Sequence, residues 1–208
     1  MKIDCHMHTK YSADSLTSLK DFRKQCLVKG IFPIITDHNT IEGALKYKQL
    51  YKDVIVGEEI KTDRGDLIGI FMNEAIPKDT DLLEALDKIK AQGAISYVPH
   101  PFDYMRRSAI QNIDFKADII EVFNSRVIKQ QYNRMAENFS NKKGWTKAVG
   151  SDAHLPSEIG TSYVEMAEFN SPKEFLTNLK KARLTKQPSP IYVHAITKIV
   201  KPLKKYVL

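Results

Sequence analysis

An α/β fold with its strands in a parallel sheet or barrel is what this 208-residue chain predicts. Three observations carry that expectation. Short β-like apolar runs alternate with segments of helical periodicity, the pattern of β/α units. The helical segments have readable starts and stops. And of six histidines, five (His6, His8, His38, His100 and His154) follow apolar runs that read as strands. In parallel β/α folds, functional groups gather at the C-terminal ends of the strands.

Taken in order, the predicted strands are 2–5, 31–36, 54–59, 67–72, 94–98, 119–123, 146–150, 161–165 and 191–194. Thr17 or Ser18 can cap a helix running to Lys29, with Gly30 as its stop. Leu82, Leu83, Leu86 and Ile89 recur at helical spacing before Gly93. Residues 127–143 read as a longer polar helix ending at Gly144, and Ser171-Pro172 opens another with Glu174 in its first turn. Gln187-Pro188-Ser189-Pro190 is the linker-like stretch. The expected organisation is one domain: a barrel over 1–186, with 187–208 as a C-terminal strand and basic helical appendage packed on it.

Composition narrows the function classes. Hydrophobic content of 42% and charged content of 27% suit a soluble globular protein. No apolar run approaches the ~20 residues of a membrane span. The N-terminus lacks a signal-peptide core, so a cytoplasmic location is expected. Cys5 and Cys26 are too few for a disulfide framework. Cys5 should point away from the strand face that carries His6, as a small buried apolar side chain. A formal charge of +7 favours anionic partners, a phosphorylated small molecule or nucleic acid among them. Oligomeric state leaves no signature.

The strand ends supply a ligand set. His6 and His8 project to one side, because strand side chains repeat every two residues. The second strand delivers Asp37 and His38, the third Glu58 and Glu59, and later strands His100, Glu121, Asp152 and His154. Imidazole and carboxylate together suit Zn, Mn or Fe. The predicted helices at 41–50, 82–91 and 127–143 contain no histidine.

His6-Met7-His8-Thr9, Ser12-Ala13-Asp14, Thr36-Asp37-His38-Asn39-Thr40, Gly57-Glu58-Glu59-Ile60, Pro99-His100-Pro101 and Gly150-Ser151-Asp152-Ala153-His154 resemble, in order, the motifs of the PHP (polymerase and histidinol phosphatase) family. The resemblance runs to about residue 165. It implies a distorted seven-stranded β/α (TIM-like) barrel holding two or three divalent metal ions and hydrolysing phosphoesters. By that resemblance His6, His8, Glu59 and Asp152 hold one metal. Glu59 bridges to a second, completed by His100, and Asp14, His38 and His154 hold a third. Glu59 rather than Glu58 matches the family's acid. Asp66 stands where many members have histidine; Asp66 and Glu121 are further candidate ligands. Glu59, Asp152 and His154 are the expected catalytic residues.

The chemistry implied is attack on phosphorus by a metal-bound hydroxide. Arg106, Arg107 and Arg126 are the candidate phosphate-binding residues, through the bidentate fork of arginine. A phosphomonoester, a nucleotide or an oligonucleotide end is the expected substrate. His194 is expected to be structural. The tail, with Lys198, Lys201, Lys204 and Lys205 beside Ile199, Val200, Leu203 and Val207, is expected to pack on its own domain. Two rival readings follow from the same residues. One is an amidohydrolase-type hydrolase, in which Lys61 is the nearest candidate for a bridging carboxylated lysine. The other is a non-catalytic, metal-stabilised module binding nucleic acid or protein.

Overall fold

The computed structural model describes residues 1–207. Leu208 of the predicted basic tail lies outside the described residues, as do the side chains of Lys201, Leu203, Lys205 and Val207. Among the described residues nine strands form one sheet: β1 Lys2–Asp4, β2 Ile31–Ile35, β3 Ile55–Thr62, β4 Gly65–Ile70, β5 Ile95–Val98, β6 Ile119–Asn124, β7 Thr146–Gly150, β8 Tyr163–Glu165 and β9 Arg183–Thr185. The helices are α1 Leu19–Lys29, α2 Glu42–Tyr51, α3 Leu82–Ala91, α4 Gln131–Lys143, α5 Pro172–Leu179 and α6 Tyr192–Val207. Among the described residues, no helix is long and apolar enough to cross a membrane.

Strands β1 to β7 make the barrel wall, each paired with the next. All run the same way except β4, which is antiparallel to both neighbours. The reversal has a local cause. Thr62 pairs with Gly65, so only Asp63 and Arg64 separate β3 from β4, and a parallel return would need a crossover of a dozen residues or so. The ring closes just beyond the ends of β1 and β7. There the Asp152 amide donates to the His6 carbonyl at 2.8 Å and the His8 amide to the Ala153 carbonyl at 2.9 Å. At its other end β1 pairs instead with β8, which pairs with β9. The sheet therefore counts nine strands among the described residues rather than the expected seven, the antiparallel β8–β9 pair extending it beyond the barrel wall.

Caps fall where the sequence puts them. The Ser18 hydroxyl accepts from the Asp21 amide, and Gly30 ends α1 in the left-handed region at φ 65°. Ser171 caps α5, with Pro172 in its first turn. Helix α4 starts at Gln131, four residues later than expected. Behind the wall Phe22, Tyr47 and Phe175 are fully or almost fully buried, each contributing about 1.5–3 kcal/mol by leaving water.

One predicted strand is a helix. Ile191–His194, β-branched and aromatic, reads as a strand, yet residues 192–194 form the first turn of α6. The apolar spacing continues past that window: Val193 and Val200 are both buried, seven residues apart, on the face that packs against the barrel. The true last strand, β9, is three residues long and only partly buried, too short to leave a periodic signal.

Candidate metal centre

The buried polar cluster at the mouth of the barrel follows from strand alternation. Beyond β1, His6 and His8 share a face with Asp4 while Ile3, Cys5 and Met7 take the other. Cys5 is a buried free thiol, as expected. In β3 the same rule separates neighbouring acids. Glu59 turns into the cluster, whereas Glu58 turns away and accepts the Ile76 amide at 2.8 Å. Burial pushes the Glu58 carboxyl up to about 7. The reversal of β4 brings Asp66, at its start, to the same end of the barrel as the C-terminal ends of the other strands.

Glu59 is the hub. One of its oxygens lies 3.3 Å from His6 Nε2, 3.3 Å from His8 Nε2 and 3.0 Å from His38 Nδ1; the other lies 2.9 Å from His100 Nε2. Asp152 Oδ1 is 3.3 Å from His8 Nε2 and 3.6 Å from His6 Nε2. Asp14 Oδ1 lies 3.2 Å from His154 Nε2 and 3.6 Å from His38 Nε2. Asp66 approaches His100 Nε2 at 3.9 Å. Ligand atoms of His6, His8 and Glu59, of His6, His100 and Asp152, of Glu59, Asp66 and His100, and of His8, His38 and His154 lie within 4.8 Å of one another in each group.

These residues fit divalent ions. Two donors about 2.1 Å from one ion, at tetrahedral or octahedral angles, stand roughly 3.0–3.4 Å apart, close to the spacing around Glu59. His8 Nε2 and Asp152 Oδ1, though 3.3 Å apart, are buried and make no aligned hydrogen bond, which is costly unless something else satisfies them. Burial, together with His154 and His38, lowers the His8 pKa to about 3. Its imidazole is thereby held neutral, the form that ligates. Burial alone would raise the Asp152 carboxyl, but Arg106 and His6 hold it well below the usual carboxylate range.

Backbone strain marks the same positions. His100 has φ 30° and Asp152 φ 54°, a region that side chains rarely adopt and that concentrates at functional sites. Gly150 is required by a close approach, since a Cβ there would lie 2.4 Å from His6 Cβ and 2.5 Å from a Glu121 oxygen.

A second tier of buried groups orients this cluster. Glu121 accepts from the Tyr97 hydroxyl at 2.7 Å, the His100 amide at 2.6 Å and Asn124 Nδ2 at 2.9 Å, and lies 3.2 Å from His6 Nδ1. Asn124 also donates to Asp152 at 3.3 Å. A register shift between Glu121 and Phe123 breaks the alternation of β6, so Glu121 and Asn124, three residues apart, meet at one side. Asp37 accepts from the Thr9 amide and hydroxyl and from the Ser12 hydroxyl, at 2.6–2.7 Å, fixing the loop that leads to Asp14. Asp4 accepts from the Ser151 and Gly160 amides at 2.9 and 2.8 Å, tying the end of β7 to β1.

The three candidate arginines separate. Arg106 is half-buried and donates to Asp152 Oδ2 at 2.8 Å. Arg126 is buried, with one guanidinium nitrogen 3.3 Å from the Val193 carbonyl and 2.8 Å from the Thr197 hydroxyl, and another 3.6 Å from Glu158. It clasps α6. Arg107 is exposed and is not among the residues lining the cleft. Sequence reasoning missed Asn124, Tyr97 and Asp4, which carry no ligand spacing. It also set His194 aside as structural, whereas His194 lines the cleft with Thr197 and Lys198.

Comparisons with known proteins agree with this fold. The PHP-associated family matches residues 130–184, a stretch that holds Asp152 and His154. A two-domain Bacteroides vulgatus protein containing a predicted PHP-like metal-dependent phosphoesterase superposes with TM-score 0.66 at 17% identity, over 96% of this chain and 69% of that one. Over residues 130–184 this chain belongs to the PHP-associated family, and its fold is that of the PHP-like protein. An uncharacterized Methanocaldococcus jannaschii protein is 39% identical over 195 residues, covering 86% of this chain and 79% of that protein. A second from the same organism is 40% identical over 60% of this chain and 82% of its own length. The PHP fold is shared with an amidohydrolase from Chromobacterium violaceum, at TM-score 0.62 and 14% identity over 93% of this chain and 96% of that one.

Proposed function

We propose that this PHP-family chain is a metal-dependent phosphoesterase acting on a phosphomonoester. The observation that carries the reading is Glu59 at hydrogen-bonding distance from four histidines that follow three strands, β1, β2 and β5, beside His8 and Asp152 atoms that make no aligned hydrogen bond. His6, His8, Glu59 and Asp152 would hold one divalent ion, Glu59 and His100 with Asp66 a second, and Asp14, His38 and His154 a third. Mn, Zn or Fe suits this mixture of imidazole and carboxylate. Such ions supply Lewis acidity toward the phosphoryl oxygens and lower the pKa of bound water.

The chain's own groups do the rest. Glu59 and Asp152, ionised, balance the charge of the cations. Glu121 holds the His6 ring in place through Nδ1, a partnership that fixes the tautomer of a ligating imidazole. Arg106 reaches the cleft beside Asp152, where its guanidinium can turn from that carboxylate to a phosphoryl oxygen. Lys61 argues against the amide-hydrolase rival: its ammonium is exposed and paired with Asp79 at 2.6 Å, while Glu59 stands at the centre of four imidazoles.

The test is metal analysis of protein purified without chelator, paired with hydrolysis of phenyl phosphate under added Mn, Zn or Fe. Bound metal and metal-dependent turnover are expected. Glu59→Gln should lower both by more than about 100-fold, beyond the effect of losing an outer-shell partner, with the far-ultraviolet circular dichroism unchanged. Turnover that ignores metal, or that appears on amides and not on phosphoesters, overturns the reading.

A further inference from the structure

The cleft beside the metal centre has a second wall, and it comes from α6. The cavity of about 460 Å³ is lined on one side by Asp14, His38, Asp66, Asp152 and His154, and on the other by His194, Thr197 and Lys198. The last three lie at positions i, i+3 and i+4 of α6 and therefore share one helical face. That face is fixed in place. Val193 and Val200 are buried against the barrel, Arg126 clasps the Val193 carbonyl and the Thr197 hydroxyl, and Lys204 donates to the carbonyls of Lys10, Ser12 and Ser15.

The chemistry of the lining is one-sided. Besides the candidate ligands and the α6 face it comprises Ala13, Asn39, Lys61, Ser108, Arg106 and Arg126. Among the described residues, no Phe, Tyr, Trp, Leu, Ile, Val or Met lines it. Proteins that hold a nucleobase do so largely by stacking it on rings or guanidinium planes. Here Arg126 is engaged by α6, and Arg106, on Asp152, is the group assigned to the phosphoryl oxygens, so neither guanidinium is left to stack a base. A leaving group covered by hydroxyls, in contrast, meets donors and acceptors on every side.

Resting on the phosphoesterase reading, we infer that α6 is the specificity wall of this site, and that the substrate is a small phosphomonoester of a hydroxylated, non-aromatic alcohol, of the sugar- or polyol-phosphate class, whose hydroxyls are read by His194 and Lys198. Hydrolysis transfers the phosphoryl group to water. The P–O bond to the alcohol breaks, a P–O bond to water forms, and the alcohol leaves with a proton from that water, so no other reactant is required.

The experiment uses the metal-loaded full chain and its Lys198→Met and His194→Ala variants, with glucose 6-phosphate, glycerol 3-phosphate, adenosine monophosphate and phenyl phosphate as substrates. Metal content is measured for each protein. The wild type should favour the two hydroxylated phosphates over the nucleotide. Each variant should raise KM for glucose 6-phosphate about tenfold, the size of one lost hydrogen bond to a charged or partly buried group, with kcat and the metal content little changed. Phenyl phosphate turnover should change less than about twofold, because no α6 contact to that leaving group is lost. Glucose 6-phosphate should also protect Lys198 from acetylation, read by mass spectrometry.

Preference for adenosine monophosphate, with His194→Ala weakening it most, overturns this inference and leaves the phosphoesterase reading intact. So does an equal fall on all four substrates, which makes α6 a structural element only. A wild type that binds metal, hydrolyses none of the four and shows no protection at Lys198 overturns both.

Discussion

The two walls of the cleft are built by different means. The strand-end wall is buried and covalently short-range: each candidate ligand sits within a few residues of a strand whose pleat decides where it points. Glu59 and Glu58 show the precision of that control, one at the centre of four imidazoles and the other turned to the Ile76 amide. The α6 wall is partly exposed and sits there only because distant groups hold it, Arg126 from the end of β6 and the carbonyls of the 10–15 loop that receive Lys204. The first wall is rigid and suited to ions, which need donors at fixed distances. The second is adjustable in sequence without disturbing the first, the usual division between chemistry and specificity.

That division says where to strike. The largest effect short of a ligand itself should come from the groups behind the strand-end wall. Glu121→Gln keeps the shape but removes the charge that faces His6 Nδ1, and it forces an amide NH₂ toward the donors Tyr97 Oη, the His100 amide or Asn124 Nδ2. Loss of an outer-shell partner of a ligating histidine costs about 10–100-fold in metal affinity or activity. Metal titration should show that loss together with a parallel fall in kcat. An unchanged affinity would mean that His6 is held by something other than Glu121.

The same contrast explains what could be read from the sequence alone. The metal wall was legible because His-x-His, the paired acid and Asp-x-His are residue types with few structural reasons to recur at successive strand ends. The direction of β4 was less so. Nothing in the apolar run 67–72 states its polarity, which the two-residue turn at Asp63-Arg64 imposes. Glu121 was visible as a strand-end acid, but its orienting role depends on the irregularity in β6 that also brings in Asn124. The α6 wall was the least legible. Tyr192-Val193-His194 has strand composition, and only docking against the barrel decides for the helix. Arg126 reads from sequence as a phosphate-binding residue; the structure gives its guanidinium to Val193 and Thr197 instead.

A smaller effect is expected from loosening the second wall. Lys204 is the clasp between α6 and the loop that carries Asp14, and burial lowers its pKa, with Asp37 and Asp14 opposing. Lys204→Met keeps the stem and removes the three contacts to carbonyls. Amide hydrogen exchange in residues 10–15 and in α6 should quicken, since local opening follows the loss of such ties. KM for a phosphomonoester should rise about threefold to tenfold, with metal content retained. Exchange that quickens only in α6 would show that Asp37 and the loop's other hydrogen bonds hold it without Lys204.

The smallest effect separates two adjacent arginines. Arg106 and Arg107 are indistinguishable by sequence, and both were candidates for the phosphate. Their backbone directions differ, because the turn at 103–106 closes through the Arg106 amide and the Asp103 carbonyl at 2.8 Å. Arg106 is thereby turned inward to Asp152, and Arg107 outward to solvent. Arg107→Ala should change kcat/KM by less than about twofold, the ordinary outcome for a surface substitution. Arg106→Ala, measured beside it, should raise KM for phosphate esters well above that, and competitive inhibition by inorganic phosphate should weaken in step. Equal effects at the two positions would mean that the loop rearranges when a phosphate ester binds, so that the inward and outward places of this pair are not those of the bound state.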